Sequence, residues 1–169
     1  MSILHRVPEA LKNTVGKALG KVPSGVFILT TTDGAGQPVA MMASWVQQAA
    51  FEPPALSVAV ARERPAYAAL LQKGTAFALS VLAEHDSALM KKYARGIAPG
   101  VDPFDGVATK RTPGGATVLS DALAWLECRV LSACDFGADH AVFVAEITGG
   151  ELMKEAASFT HTRGNGFHY

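Results

Sequence analysis

Runs of β-branched and apolar residues, broken at short intervals by turn-forming clusters, limit what this chain can fold into more than any other feature of it. Val26 to Thr32 reads as a strand, and Asp33-Gly34-Ala35-Gly36 supplies the chemistry of a turn. Pro38 to Val46 returns antiparallel to it, with proline tolerated at the first strand position. Phe51-Glu52-Pro53-Pro54 forms a rigid corner ahead of a third strand, Ala55 to Ala61, and Thr75 to Leu82 gives a fourth. Ala122 to Ala133 and His140 to Thr148 make a second hairpin around Asp135-Phe136-Gly137-Ala138-Asp139.

The helical patterns are short. Glu9 to Val22 gathers Ala10, Leu11, Val15, Ala18, Leu19 and Val22 on one side, weakened by Gly16 and Gly20. Pro65 opens a helix through Gln72, with Gly74 ending it, and Asp86 to Arg95 turns Leu89, Met90 and Tyr93 inward. Gly96 to Gly106 reads as an irregular loop. Helices inserted between strands, rather than alternating with them one for one, predict a mainly β chain: an antiparallel β-barrel with helical insertions, not a doubly wound parallel sheet. No linker or composition break divides the chain, so residues 1–169 are expected to form a single domain.

Charge and composition narrow the function. Lysine plus arginine number 15 and aspartate plus glutamate number 15, without a local basic patch, so no nucleic-acid partner is expected. Hydrophobic residues reach 49% against 18% charged, a dry composition that places some apolar surface in an interface between subunits. The longest apolar stretches, such as Ala55 to Ala61, fall far short of the roughly 20 residues of a membrane helix. Met1 to Pro8 lacks a signal-peptide core, and a cytoplasmic location is the expectation. Cys128 and Cys134 are too few for a disulfide framework and wrongly spaced for a zinc knuckle, so they read as reduced thiols. GKALGK at Gly16 to Lys21 has the wrong spacing for a phosphate loop, and VDPFDG at Val101 to Gly106 lacks the ligands of a calcium loop. Ser24 and Ser44 lack a nucleophile-elbow context, and no metal site is expected.

A combination of segments is more specific: PSGVFILTTTDGAGQPVAMMASWV from Pro23, FEPPALSVAVARERPAYAAL from Phe51, FALSVL from Phe77, FDGV from Phe104, LAWLECRV from Leu123 and DHAVFVAEI from Asp139. Together they resemble the flavin reductase-like family, and the likeness runs from about Pro8 to the C-terminus. PSGVFILT, ASWVQQAAFEPP, AVARERP, LMKKYARGIAPGVDPFDGV and the terminal GNGFHY resemble in particular the C-terminal flavin reductase domain of cyanobacterial flavodiiron (diflavin) proteins. This sequence has no counterpart of their metal-binding and flavodoxin-like parts, so di-iron oxygen chemistry is not expected of it.

The resemblance implies a Greek-key antiparallel FMN-binding split barrel, a homodimer, and transfer of hydride from NADH or NADPH to FMN, with electrons passing on to free flavin or a redox partner protein. It also leaves open a non-enzymatic FMN electron carrier reduced by another protein. Met41, Met42, Ala43, Ser44 and Trp45 match a stretch that is often threonine-alanine-serine-serine along the flavin. Small Ala43 admits a ring, Ser44 offers a hydroxyl and an amide, and Met41 or Met42 could pack on the ring. Met42 and Trp45 depart from the family pattern. Arg62 or Arg64, flanking a helix N-terminus, is implied to bind the FMN phosphate, with Pro65 and Ala66 replacing the usual hydroxyl residues. Ser80 stands where relatives carry asparagine, and Pro23, Ser24, Thr30 and Thr31 are expected to form the adjoining wall. Asp139-His140 matches a glycine-aspartate-histidine segment, which makes His140 the candidate to touch the nicotinamide or the flavin edge. His161, Arg163, His168 and Tyr169 in the aromatic tail are placed near the partner subunit's flavin.

Overall fold

The structure is a computed structural model that describes residues 7–98 and 100–167. Most of the N-terminal segment read for a signal, Pro99 of the irregular loop, and the tail residues His168 and Tyr169 lie outside the described residues. In chain order the elements are α1 (Glu9–Leu19), β1 (Ser24–Gly25), β2 (Phe27–Thr32), β3 (Pro38–Ala43), β4 (Val46–Phe51), β5 (Pro54–Ala61) and α2 (Pro65–Leu70). They continue with β6 (Ala76–Val81), α3 (Ser87–Ala94), β7 (Thr109–Arg111), β8 (Thr117–Leu119), β9 (Ala124–Cys134), β10 (His140–Leu152) and β11 (Thr160–His161).

The main sheet is antiparallel with the order β3-β2-β6-β9-β10-β5-β4. Its two edge strands, β3 and β4, are neighbours in sequence, separated only by Ser44 and Trp45. The chain can step from one edge to the other over so few residues only if the sheet curls until its edges approach. The result is a mainly β barrel open along one seam, with β6 laid beside β2 only after β4 and β5 have occupied the far side, in Greek-key fashion. One face of the sheet packs Leu29, Met41, Val58, Phe77, Leu79 and Phe143 into a core closed at one end by Ala66, Tyr67 and Leu70 of α2. The other face carries Ile28, Ala40 and Leu82 beneath Tyr93 of α3. Ile28 and Leu29 are both fully buried on opposite faces, which is why β2 reads as a continuous apolar run instead of an alternating one.

Sequence periodicity located most strands and all three helices, with ends displaced by up to four residues (β10 runs on to Leu152) and one strand wrongly continued. Pro38 to Val46 is not one strand: it breaks at Ser44-Trp45, and the chain from Val46 to Phe51 forms β4 against β5. The short β7–β8 hairpin was not anticipated either. Its strands are three residues each and cover only part of the sheet, held by Thr30 Oγ1 donating to the Thr117 carbonyl and by Thr112 Oγ1 donating to Glu127 Oε1 at 3.0 Å. In α1 the buried residue is Gly16, which packs against Asn165 of the tail, while Leu11, Val15 and Leu19 stay exposed. A bare glycine face lets the tail approach the helix, and the apolar side expected to face a core is left uncovered.

The two cysteines separate sharply in reactivity. Cys128 is buried in the core, and burial, with Glu127 beside it, pushes its thiol up to about 12, whereas Cys134 at the end of β9 is exposed. Since the thiolate is the nucleophile, native protein treated with iodoacetamide at neutral pH is expected to take up a single alkyl group at Cys134. Cys128 should react only after denaturation. Mass-mapped labelling of Cys128 in the native state would contradict this packing.

Candidate functional site

The seam of the barrel is also where the sequence-selected residues converge. Met41, Met42 and Ala43 at the end of β3, Ser44 and Trp45 in the step between edges, Ala59 and Ala61 of β5, and Arg64 line one narrow cleft. The Ala59 N–H donates to the Trp45 carbonyl at 3.0 Å and stitches the step to β5. Alanine at positions 43, 59 and 61 keeps the cleft wall low. Ala59 and Ala61 were not singled out from sequence, although period-two alternation already sets them on the face opposite Val58 and Val60.

The cleft itself is only about 10 Å³, and it shares Met41 and Arg64 with a groove of about 1210 Å³ that is bordered by Thr30, Pro38, Phe104, Lys110, Arg111 and Glu127 among others. A typical small-molecule site occupies roughly 300–1,000 Å³. The groove is large enough for a mononucleotide, and the cleft marks the point on the seam where Met41 and Arg64 border both.

The two arginines take different positions. Arg64, half-buried, is the residue before α2 and lies in both cleft and groove. Arg62, exposed along part of its side chain, makes one protein contact through each guanidinium nitrogen: Nε donates to the Ala138 carbonyl at 2.7 Å, Nη1 to Tyr67 Oη at 3.0 Å, and Nη2 pairs with Asp135 Oδ1. It does not line the cleft. The Gly137 N–H first, and Arg62 second, hold the Asp135 carboxyl below the usual carboxylate range. Because α2 has only six residues, its N-terminus adds little to anion binding, and the Arg64 guanidinium lines both cleft and groove, with Lys110 and Arg111 farther along the groove.

His140 begins β10 opposite Ala61, and its ring lies 4.8 Å from that of Trp45. Its Nδ1 is 3.0 Å from Asp139 Oδ1, a contact that lowers the Asp139 carboxyl. On the same indole, the Arg163 guanidinium from the tail sits 5.3 Å from the ring centroid. The structure thus brings His140 and Arg163 against Trp45, with His140 buried at 9% exposure and outside the linings of cleft and groove.

Other sequence-selected residues sit apart from the cleft. Ser80 is fully buried, and its Oγ accepts the Leu119 N–H at 3.0 Å, tying β6 to the β7–β8 hairpin. Thr30 and Thr31 border the groove, but their hydroxyls donate to the carbonyls of Thr117 and Ala76. Ser24 pairs in register with His161, and Pro23 precedes that short ladder, away from the cleft lining. Tyr67 and Asp135, which sequence reasoning missed, enter through their contacts with Arg62. No sequence spacing joins positions 62 and 135.

The architecture is an antiparallel split barrel with a small-residue cleft and Arg64 at its seam. A family model for the flavin reductase like domain matches residues 19–166, and the chain belongs to that family. It is 39% identical over 163 residues to diflavin flavoprotein A 1 of Synechocystis sp. strain PCC 6803, a match covering 95% of this chain and 28% of that protein. The chain spans 27–28% of the length of the first curated relatives it matches. Among solved structures it resembles the NADH:FAD oxidoreductase SgcE6 of Streptomyces globisporus (24% identity, TM-score 0.81, 94% of this chain and 92% of that one). It also resembles the styrene monooxygenase flavin reductase of Pseudomonas putida S12 (21% identity, TM-score 0.72, 86% and 90%). At such identities these likenesses speak for the fold. Among the described residues no helix is long and apolar enough to cross a membrane, and no group of three His, Cys, Asp or Glu side chains is placed to hold a metal.

Proposed function

We propose that this domain binds FMN at the seam and acts as an NAD(P)H-dependent flavin reductase. The observation that carries the reading is the groove of about 1210 Å³ along the seam, with a half-buried Arg64 and Met41 where it meets the small-residue cleft. Those residues fit the cofactor: Arg64 meets the phosphate, Ala43, Ala59 and Ala61 leave room for the ring edge, and Ser44 and the β3 backbone offer hydrogen-bonding groups to its pyrimidine side. The chemistry FMN supplies is acceptance of hydride from NADH or NADPH and release of electrons to free flavin or a redox partner protein. The protein's part is positioning. Met41 and the neighbouring alanines hold the ring against the barrel, and Trp45 closes one edge of the cleft. His140, with Nδ1 held by Asp139 and its ring against Trp45, would meet the nicotinamide beside the indole.

The same reading makes the protein a cytoplasmic homodimer. Leu11, Val15, Leu19 and Val22 form an exposed apolar stripe along and just beyond α1, and Phe51 at the end of edge strand β4 is 88% exposed, surface that a second subunit would cover.

Purified protein is expected to bind FMN, and anaerobic NADH or NADPH should bleach the flavin absorbance near 450 nm. Absence of FMN binding would overturn the cofactor assignment. Binding without bleaching by either nucleotide would instead identify an electron carrier reduced by another protein.

A further inference from the structure

Arg62 stands at the end of β5, one residue beyond the Ala61–His140 register pair, and three of its contacts fall on the turn that leads to His140. Its backbone N–H donates to the Asp139 carbonyl at 2.9 Å and so extends the β5–β10 ladder by one step. Its side chain grips the turn between β9 and β10 at two further points, the Asp135 carboxylate and the Ala138 carbonyl. Asp135 Oδ1 also accepts the Gly137 N–H at 2.9 Å, and Gly137 has φ +81°, so the turn adopts a conformation that suits glycine there. The third guanidinium contact, Tyr67 Oη, anchors the assembly to α2, whose Tyr67 ring packs edge-on against Phe143 of the core at 5.8 Å. These contacts use one N–H on each guanidinium nitrogen and fix the direction in which the group lies.

We propose that Arg62 is a positioning residue: it clamps the Asp135–Asp139 turn and thereby sets the place of His140 against Trp45, while Arg64 alone meets the flavin phosphate. The proposal rests on the reading that His140 faces the nicotinamide. A planar guanidinium suits the task because it reaches three acceptors in fixed directions, which a lysine ammonium on a flexible stem cannot do. The clamp explains how a histidine at the end of a five-residue turn can be held to the tolerance that hydride transfer demands, since displacement by about 1 Å costs up to 10²-fold in rate.

The test uses Arg62→Ala, Arg62→Lys, Asp135→Asn, His140→Ala and the Arg62→Ala/His140→Ala double variant, each checked for folding by its thermal melt. FMN affinity is measured by flavin fluorescence titration and reduction by anaerobic stopped flow with NADH and NADPH. The environment of His140 is followed in flavin-free protein from its imidazole ¹H–¹⁵N resonances. FMN affinity is expected to stay within about twofold in Arg62→Ala and Asp135→Asn, while reduction slows about tenfold or more in Arg62→Ala, with Asp135→Asn and Arg62→Lys falling between it and wild type. The His140 resonances should shift in flavin-free Arg62→Ala. In the His140→Ala background, loss of Arg62 should change the rate by less than about twofold, because coupled residues are not additive.

Loss of FMN affinity by about tenfold or more in Arg62→Ala, with Asp135→Asn unaffected, would make Arg62 a phosphate ligand and overturn the clamp. Equal slowing by Arg62→Ala with and without His140 would overturn it as well. If His140→Ala itself reduces at the wild-type rate, the reading of His140 fails and the clamp's function falls with it. That outcome is recognisable from the single variant alone.

Discussion

Replacing Arg64 with alanine is expected to weaken FMN binding by roughly ten- to a hundredfold while leaving the fold intact. A hydrogen bond to a charged group contributes about 1.5–3 kcal/mol, and each 1.4 kcal/mol is a factor of ten in Kd. Arg64 merits the upper part of that range because it is half-buried between cleft and groove and α2 is too short to substitute for it. Its own backbone role survives the change: the Arg64 N–H donates to the Ala61 carbonyl and its carbonyl accepts the Tyr67 N–H, bonds that alanine can make equally well. Thermal melting of the flavin-free variant should therefore match wild type, and the loss should appear only in the FMN titration. Riboflavin, which has no phosphate, should bind both proteins alike. An Arg64→Ala variant with undiminished FMN affinity would place the phosphate elsewhere in the groove.

Replacing Phe143 with alanine is expected to destabilise the protein by about 3–5 kcal/mol, lowering Tm by roughly 6–20 °C. Phe143 is fully buried at the middle of the barrel, where β10 lies between β5 and β9, and its ring meets that of Tyr67 at an interplanar angle of 80°. Truncation leaves a cavity that flanking strands, fixed in register on both sides, cannot collapse to fill. A substantial part of the 5–15 kcal/mol that holds a typical domain would go with it. Tyr67 would lose its packing partner as well, and with it the anchor it gives Arg62. Phe136→Ala is the control: that ring sits in the same hairpin's turn but is 63% exposed, so its loss should stay within about 0.5 kcal/mol. A Phe143→Ala cost below about 1 kcal/mol, read from urea unfolding, would show that the interior is not built around this ring.

Much of the architecture was legible because its signals are local. The β2–β3 and β9–β10 hairpins announced themselves through turn residues between apolar runs, and α2 through Pro65. The cleft residues Met41 to Trp45 and Arg64 were named from the family resemblance, and the structure gathers them at one seam. Illegible were the break at Ser44-Trp45, where strand propensity continues although the sheet ends, and the β7–β8 hairpin, whose three-residue strands hold only because the rest of the sheet lies beneath them. Ser80 shows the same limit: its position in β6 was plain, but whether it faces a ligand or the Leu119 amide depends on a hairpin formed some forty residues later.

By itself the sequence determined the strand-rich class, the family and the short list of groups that could meet a flavin, since spacing and residue type govern which local conformations a segment can adopt. Only the tertiary structure separated Arg62 from Arg64. Two arginines two positions apart are alike in composition and charge, and their surroundings diverge because antiparallel pairing of β5 with β10 brings Asp135 and Ala138, with Tyr67 of α2, around the first and leaves the second at the open seam. That pairing is fixed by burial of the barrel core, an interaction that acts between residues distant in the chain.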